Sequence, residues 1–311
     1  MIGGLSLRGL TPLHQIGSPM APKPGNTQTM QILLLGKTGQ VGFELHRTLS
    51  PLGPITAPGR EELDLTNEQA VEKYLAQTQP TMIVNAAAWT AVDAAETQQA
   101  EAQRLNAGLP KQLAEYAKAN NARLVHYSSD YVYPGTGTTP WQEASPTGPL
   151  SVYGKTKLQG DEATQQSGAD HLIFRTSWVY SARGNNFMKT MLRMAESKTE
   201  LNIVADQIGA PTPARLIAQV TALAIHSKLE AGLYHLAPTG ETSWQGFGKE
   251  IFRLAGKNIK ANPIPTSDYP TPATRPLNSR MDLTKLQQAL NIQLPDWQSQ
   301  LALTLNEYLE K

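Results

Sequence analysis

Gln31-Ile32-Leu33-Leu34-Leu35-Gly36-Lys37-Thr38-Gly39-Gln40-Val41-Gly42 decides how the rest of the chain is read. An apolar run followed at once by glycines reads as a buried strand ending in a tight turn. The spacing is G-x-x-G-x-x-G, and a helical pattern over 41–49 follows. Gly36 turns the chain. Gly39 lets backbone N–H groups approach a pyrophosphate at the helix N-terminus, and Gly42 lets the helix pack close to the sheet. A P-loop would need a glycine at position 31, which is glutamine, so a kinase or ATPase reading loses its support.

Similar apolar runs recur at 55–57, 82–85, 124–127 and 172–175, with helical stretches at 68–77, 100–120 and 152–167 between them. Alternating strand and helix predicts an α/β fold with a Rossmann-type doubly wound parallel sheet. After residue 178 the pattern loosens into helices at 186–196, 214–225, 244–254 and 283–290 and short strands at 201–204 and 233–236. Five prolines over 263–276 predict a loop. We expect a dinucleotide-binding domain over 30–178 and a smaller C-terminal α/β substrate-binding lobe over 179–311, with some segments of the latter returning to the first domain. Residues 1–29, rich in Gly, Pro, Ser and Thr without an apolar core, read as a disordered extension.

Composition removes several classes. The net charge of the 311 residues is +1, which gives no reason to expect nucleic acid or an anionic membrane as partner. No apolar run approaches the roughly 18 residues of a membrane helix. There is no cysteine, so disulfides, thiol nucleophiles and Cys-ligated zinc are excluded, and a reducing cytoplasm suits the chain. The six histidines show no ligand spacing, and no metal residues are assigned.

In sheets of this kind an acid at the end of the second strand usually takes the adenosine ribose hydroxyls. Here Ile55-Thr56-Ala57-Pro58-Gly59-Arg60 has none. An arginine can pair with a 2′-phosphate, so Arg60 favours NADPH, with NADH as the alternative donor. Asp64 and Leu65 either lie near the adenine or cap the next helix. The small residues Ala87 and Ala88, after the third strand, let a flat cofactor lie against its end.

His126-Tyr127-Ser128-Ser129-Asp130-Tyr131 runs from the fourth strand to the carboxyl edge, where ligands bind in such sheets. Further on, Tyr153 and Lys157 stand four residues apart, on one face of a helix. A tyrosine that moves a proton near neutral pH needs a cation beside it to lower its pKa. The bland alternative is an exposed helix pair.

Taken together these segments resemble the extended short-chain dehydrogenases, and within them the dTDP-4-dehydrorhamnose reductase family. The resemblance spans about 30–311. It also takes in Trp89-Thr90-Ala91-Val92-Asp93, Arg175-Thr176-Ser177-Trp178-Val179-Tyr180, Gly184-Asn185-Asn186-Phe187, Asp206-Gln207-Ile208-Gly209-Ala210-Pro211-Thr212 and Arg275-Pro276-Leu277-Asn278-Ser279. It implies NADPH-dependent reduction of the C4 ketone of a dTDP-4-dehydro-6-deoxy-sugar in the cytoplasm. Tyr153 is then the proton donor, Lys157 holds the nicotinamide ribose and Ser129 orients the carbonyl. Gln40, Val41, Ala88, Trp89, Thr90 and Tyr127 are implied at the cofactor, and Ser129, Asp130, Tyr153, Trp178 and Arg275 at the substrate. Each has a structural competitor: Trp178 as packing, Asp130 as a turn cap, Arg275 as a loop residue. Some relatives bridge a homodimer through magnesium held by carboxylates. Glu44 matches one such position, but Arg215 stands where those relatives have an acid, which speaks against the metal here. Two other classes stay open: another nucleotide-sugar epimerase or dehydratase, and a non-catalytic binding protein like the regulatory subunit of methionine adenosyltransferase.

Overall fold

The structure, a computed structural model, describes residues 29–310; residues 1–28, nearly all of the expected extension, lie outside the described residues. Five strands follow in chain order: β1 (Ile32–Leu35), β2 (Ile55–Thr56), β3 (Met82–Asn85), β4 (Arg123–Ser129) and β5 (Asp170–Thr176). With the strand Gly232–His235 they form one sheet in the order 232–235, β5, β4, β3, β1, β2, and every pairing is parallel. The α/β fold expected from the alternation is therefore present.

β1 shows why a continuous apolar run makes this strand. Successive side chains point to opposite faces of a sheet. Ile32 and Leu34 pack with Leu45 of helix α1 (Gln40–Thr48) and with Ile217 and Val220 of the helix Ala214–His226. Leu33 and Leu35 pack on the other face with Val71 and Leu75 of helix α2 (Glu68–Thr78) and with Leu109 and Leu113. All four β1 side chains are at most 2% exposed. Each contributes about 1.5–3 kcal/mol by leaving water.

A third core joins Tyr180, Met188, Leu201, Phe247, Ile251, Trp297, Leu301 and Leu305. It is built from the helices Phe187–Met194, Trp244–Leu254 and Trp297–Leu309. The last of these was not expected. Its signals are present: Asp296 caps it by accepting the Ser299 N–H at 2.8 Å, and apolar residues recur four apart at 297, 301 and 305.

Two other expectations change. The 100–120 stretch is not one regular helix: its turns widen to i→i+5 spacing over Arg104–Gly108. The 263–276 segment is not all loop, because Pro263 lies in the strand Lys260–Ile264, paired parallel with Glu200–Val204. Proline is tolerated there because a two-stranded ladder is all edge. The strand Gly232–His235 and the helix Ala214–His226 pack on the main sheet.

Candidate active site

The carboxyl ends of β1, β3, β4 and β5 converge on one edge of the sheet. The turn after β1 crosses closest to β3. Gly36 has φ +83°, and a Cβ there would lie 2.7 Å from the Ala86 carbonyl carbon and the Ala87 nitrogen. A Cβ on Gly42 would meet the Gly36 oxygen at 2.0 Å. Both positions therefore demand glycine. Gly39 starts α1 without any side-chain cap, which leaves the first-turn N–H groups free for an anion. Gln40 ties this turn to the third core's first loop: its Oε1 accepts from Ser181 Oγ at 3.1 Å and Asn186 Nδ2 at 2.9 Å. Val41 packs against the first core.

At the end of β2, Arg60 is exposed and its charge acts on Asp64. Asp64 accepts both the N–H and the hydroxyl of Thr66, at 2.9 and 2.7 Å, so it closes the turn before α2; Leu65 packs on the second core. The expectation that no acid stands here needs correction. Glu62, six residues past the strand, is folded back so that its carboxylate accepts the Gly59 N–H at 2.5 Å.

Ala87 and Ala88 are half-buried beside the glycine turn, and Thr90 is exposed. Trp89 is fixed by its main chain: its N–H donates to Asn106 Oδ1 at 2.9 Å, and its carbonyl accepts Asn106 Nδ2 at 3.1 Å. Asn106, fully buried in the widened turn, also donates to Thr156 on the helix Val152–Gln166. It clamps the β3 loop to the helix that carries Tyr153 and Lys157. Nothing in the linear pattern marks it; its signal is the i→i+5 turn, which often accompanies function.

Ser129 ends β4, and its hydroxyl is the hub of the site. It donates to Asp130 Oδ1 at 3.1 Å, accepts the Tyr131 N–H at 3.1 Å, and favours the ionised form of the neighbouring Tyr153 phenol. The helix beneath is capped by Ser151, and Gly154 lets it touch the Tyr131 carbonyl, where a Cβ would sit at 2.3 Å. Lys157, 2% exposed, donates to the Tyr127 carbonyl at 2.5 Å. Of Tyr127 only this carbonyl faces the site. Its phenol is bonded to Thr221 at 2.9 Å within the core.

Burial pushes Tyr153 up to about 12, and the nearby Ser129 hydroxyl opposes this. Lys157 does not lower it as expected, because the ammonium is directed at the Tyr127 carbonyl rather than at the phenol. A phenol that keeps its proton at neutral pH is loaded to act as an acid, the role reduction requires. Burial brings Lys157 down to about 8, with Asp161 opposing. Burial likewise raises Asp130 to about 7, against the nearby hydroxyls of Ser279 and Ser129.

Trp178 holds φ +49°, a conformation few bulky residues adopt, and stacks on Trp244 at 3.9 Å and 16°. Such strain persists where surrounding structure enforces it. Arg275 is bound to Asp93 at 2.9 Å, and its Nη1 is buried without a partner among the described residues.

Glu44 does not belong to a fitting magnesium site. Arg215 lies between it and Glu307, with Nε 3.9 Å from Glu44 and Nη2 bonded to Glu307. A guanidinium thus stands among the carboxylates, where a divalent ion would meet like charge. Burial raises the Glu44 pKa, and Arg215 opposes this. Among the described residues no group of three or more His, Asp or Glu could hold a metal ion. Added EDTA is therefore expected to leave thermal stability and oligomeric state unchanged. A melting-point drop of several degrees, reversed by magnesium, would refute that.

The family model described as RmlD substrate binding domain matches residues 30–310. A curated relative, dTDP-4-dehydrorhamnose reductase of Shigella flexneri, is 50% identical over 292 residues, covering 89% of this chain and 98% of its own. The chain belongs to the dTDP-4-dehydrorhamnose reductase family. Two solved members of the family have the same fold. The Clostridium acetobutylicum protein superposes with a TM-score of 0.86 at 35% identity, over 91% of this chain and 100% of its own. The Bacillus anthracis protein, solved in complex with NADP, also gives 0.86, at 32% identity over 90% and 99%. The segments that carried the resemblance in the sequence all lie within the matched range.

Proposed function

We propose that the chain reduces the C4 ketone of dTDP-4-dehydro-L-rhamnose to dTDP-L-rhamnose with NADPH, NADH being the weaker donor. The observation that carries this is the placing of Tyr153 next to the Ser129 hydroxyl and on one helix with buried Lys157, at the edge that also holds the glycine turn. The relatives' shared name and the NADP complex of the Bacillus anthracis member support the substrate class and the cofactor.

The residues present fit such a cofactor. The uncapped α1 N-terminus suits the pyrophosphate, the close approach of Gly36 to Ala86 and Ala87 leaves a flat path, and Arg60 suits a 2′-phosphate. When bound, the reduced nicotinamide supplies hydride to C4 of the sugar. Tyr153 then gives its proton to the oxygen that was the ketone, and solvent returns one. Ser129 donates a hydrogen bond to the same oxygen. Lys157 holds the nicotinamide ribose. Trp178 and Asp130 line the sugar, and the free Nη1 of Arg275 suits a diphosphate oxygen. Both reactants are water-soluble nucleotides, which supports a cytoplasmic reaction. No helix among the described residues is long and apolar enough to cross a membrane.

The test supplies purified protein with dTDP-4-dehydro-L-rhamnose and follows oxidation of NADPH and NADH separately at 340 nm. The sugar product is then identified by chromatography and NMR. We expect one cofactor oxidised per sugar reduced, faster with NADPH. Cofactor consumption without dTDP-L-rhamnose, or no consumption at all, refutes the assignment.

A further inference from the structure

β1 and β2 run parallel with Leu33 beside Thr56, so the turns that follow them, at Lys37 and at Gly59, lie side by side. Glu62 sits between these turns. Its Oε2 accepts the Gly59 N–H at 2.5 Å and faces Lys37 Nζ at 3.5 Å. Those two donors hold its carboxyl below the ordinary range, the main-chain bond contributing most. The placement comes from the fold of the loop, since Glu62 and Leu63 both donate their N–H to the Gly59 carbonyl, at 3.1 and 2.9 Å. The Glu62 side chain is 64% exposed and that of Lys37 32%, so a ligand can reach both. Arg60 stands exposed next to Gly59.

An ammonium and a main-chain N–H converging on one point, beside a guanidinium, make an anion site. Here the chain fills it with its own carboxylate. We propose that Glu62 is the internal occupant of the 2′-phosphate site and that cofactor choice is a competition for Lys37 and the Gly59 N–H. This rests on the dinucleotide assignment made above. A phosphate monoester carries close to two charges and three acceptor oxygens, so it displaces a singly charged carboxylate. A ribose with free hydroxyls leaves Glu62 in place, and the carboxylate accepts hydrogen bonds from them. Glu62 thus disfavours NADPH and favours NADH, whereas Lys37 favours NADPH.

Binding of 2′,5′-ADP and 5′-AMP, measured by calorimetry at fixed salt, separates these effects from turnover. Glu62→Gln keeps the length and removes the charge. It is expected to tighten 2′,5′-ADP about three- to tenfold, the range of one exposed charged contact, and not to tighten 5′-AMP. Lys37→Met is expected to weaken 2′,5′-ADP by a similar factor and to leave 5′-AMP within twofold. Both residues are solvent-facing, and circular dichroism melts confirm that the variants fold. If wild type binds both probes and neither variant changes the ratio of their affinities, the proposal is overturned while the dinucleotide assignment stands. If wild type binds neither probe, that assignment falls and the proposal falls with it.

Discussion

Tyr153→Phe lowers the rate of ketone reduction by about 10²–10⁴-fold, the usual contribution of a positioned acid. The change removes one oxygen, the atom nearest in effect to the Ser129 hydroxyl, and leaves the ring against Tyr131, 5.5 Å away edge to face. The helix is capped by Ser151 and held by Lys157, neither of which the change touches. The Michaelis constant for NADPH should therefore stay within a few-fold while turnover collapses. Steady-state kinetics with both substrates varied separates the two, and a variant as fast as wild type would end the proton-donor role. The wild-type rate should also fall as pH rises through about 8. Lys157 loses its proton there, and the ribose loses a charged donor.

Asp161→Asn should destabilise the protein by about 3–5 kcal/mol, the cost of stranding one member of a buried ion pair. Asp161 is fully buried one helical turn beyond Lys157 and accepts from Arg175 Nε at 2.9 Å. Burial opposes its charge; Arg175 and Lys157 support it. Arg175 also donates to the Tyr133 hydroxyl at 2.8 Å, and that hydroxyl meets His235 Nε2 at 2.6 Å. Burial holds His235 down to about 3, so the imidazole is neutral, and its Nδ1 bonds the Asp282 carbonyl at 3.0 Å. With the carboxylate removed, the guanidinium keeps its charge, away from water and without a counter-ion. Urea unfolding at pH 7 measures the loss. An unchanged midpoint would mean that the pair merely offsets its own desolvation. A second readout concerns Lys157. Without Asp161 its pKa drops, so the high-pH limb of the rate profile moves to lower pH.

How much of this was legible depends on distance along the chain. Gly36, Gly39 and Gly42 could be read because strand, turn and helix are adjacent and each leaves a local pattern. Ser129, Tyr153 and Lys157 were legible as a strand end and a helix face; that they meet follows from β4 and the next helix being neighbours. Asn106 was not, since its partners Trp89 and Thr156 are 17 and 50 residues away. The Trp178–Trp244 stack and the Arg215 bridge from Glu44 to Glu307 were equally hidden.

The sequence by itself determined the doubly wound sheet, the glycine turn and the three side chains proposed here as catalytic. Periodicity, glycine geometry and residue chemistry are properties of short segments. Only the tertiary structure decided where the charges stand and which protons they keep. It set Glu62 against Lys37, turned Lys157 onto a carbonyl, buried Asp161 beside Arg175 and raised Tyr153 to about 12. Those outcomes depend on desolvation and on partners distant in sequence, and both come into being only when the chain packs.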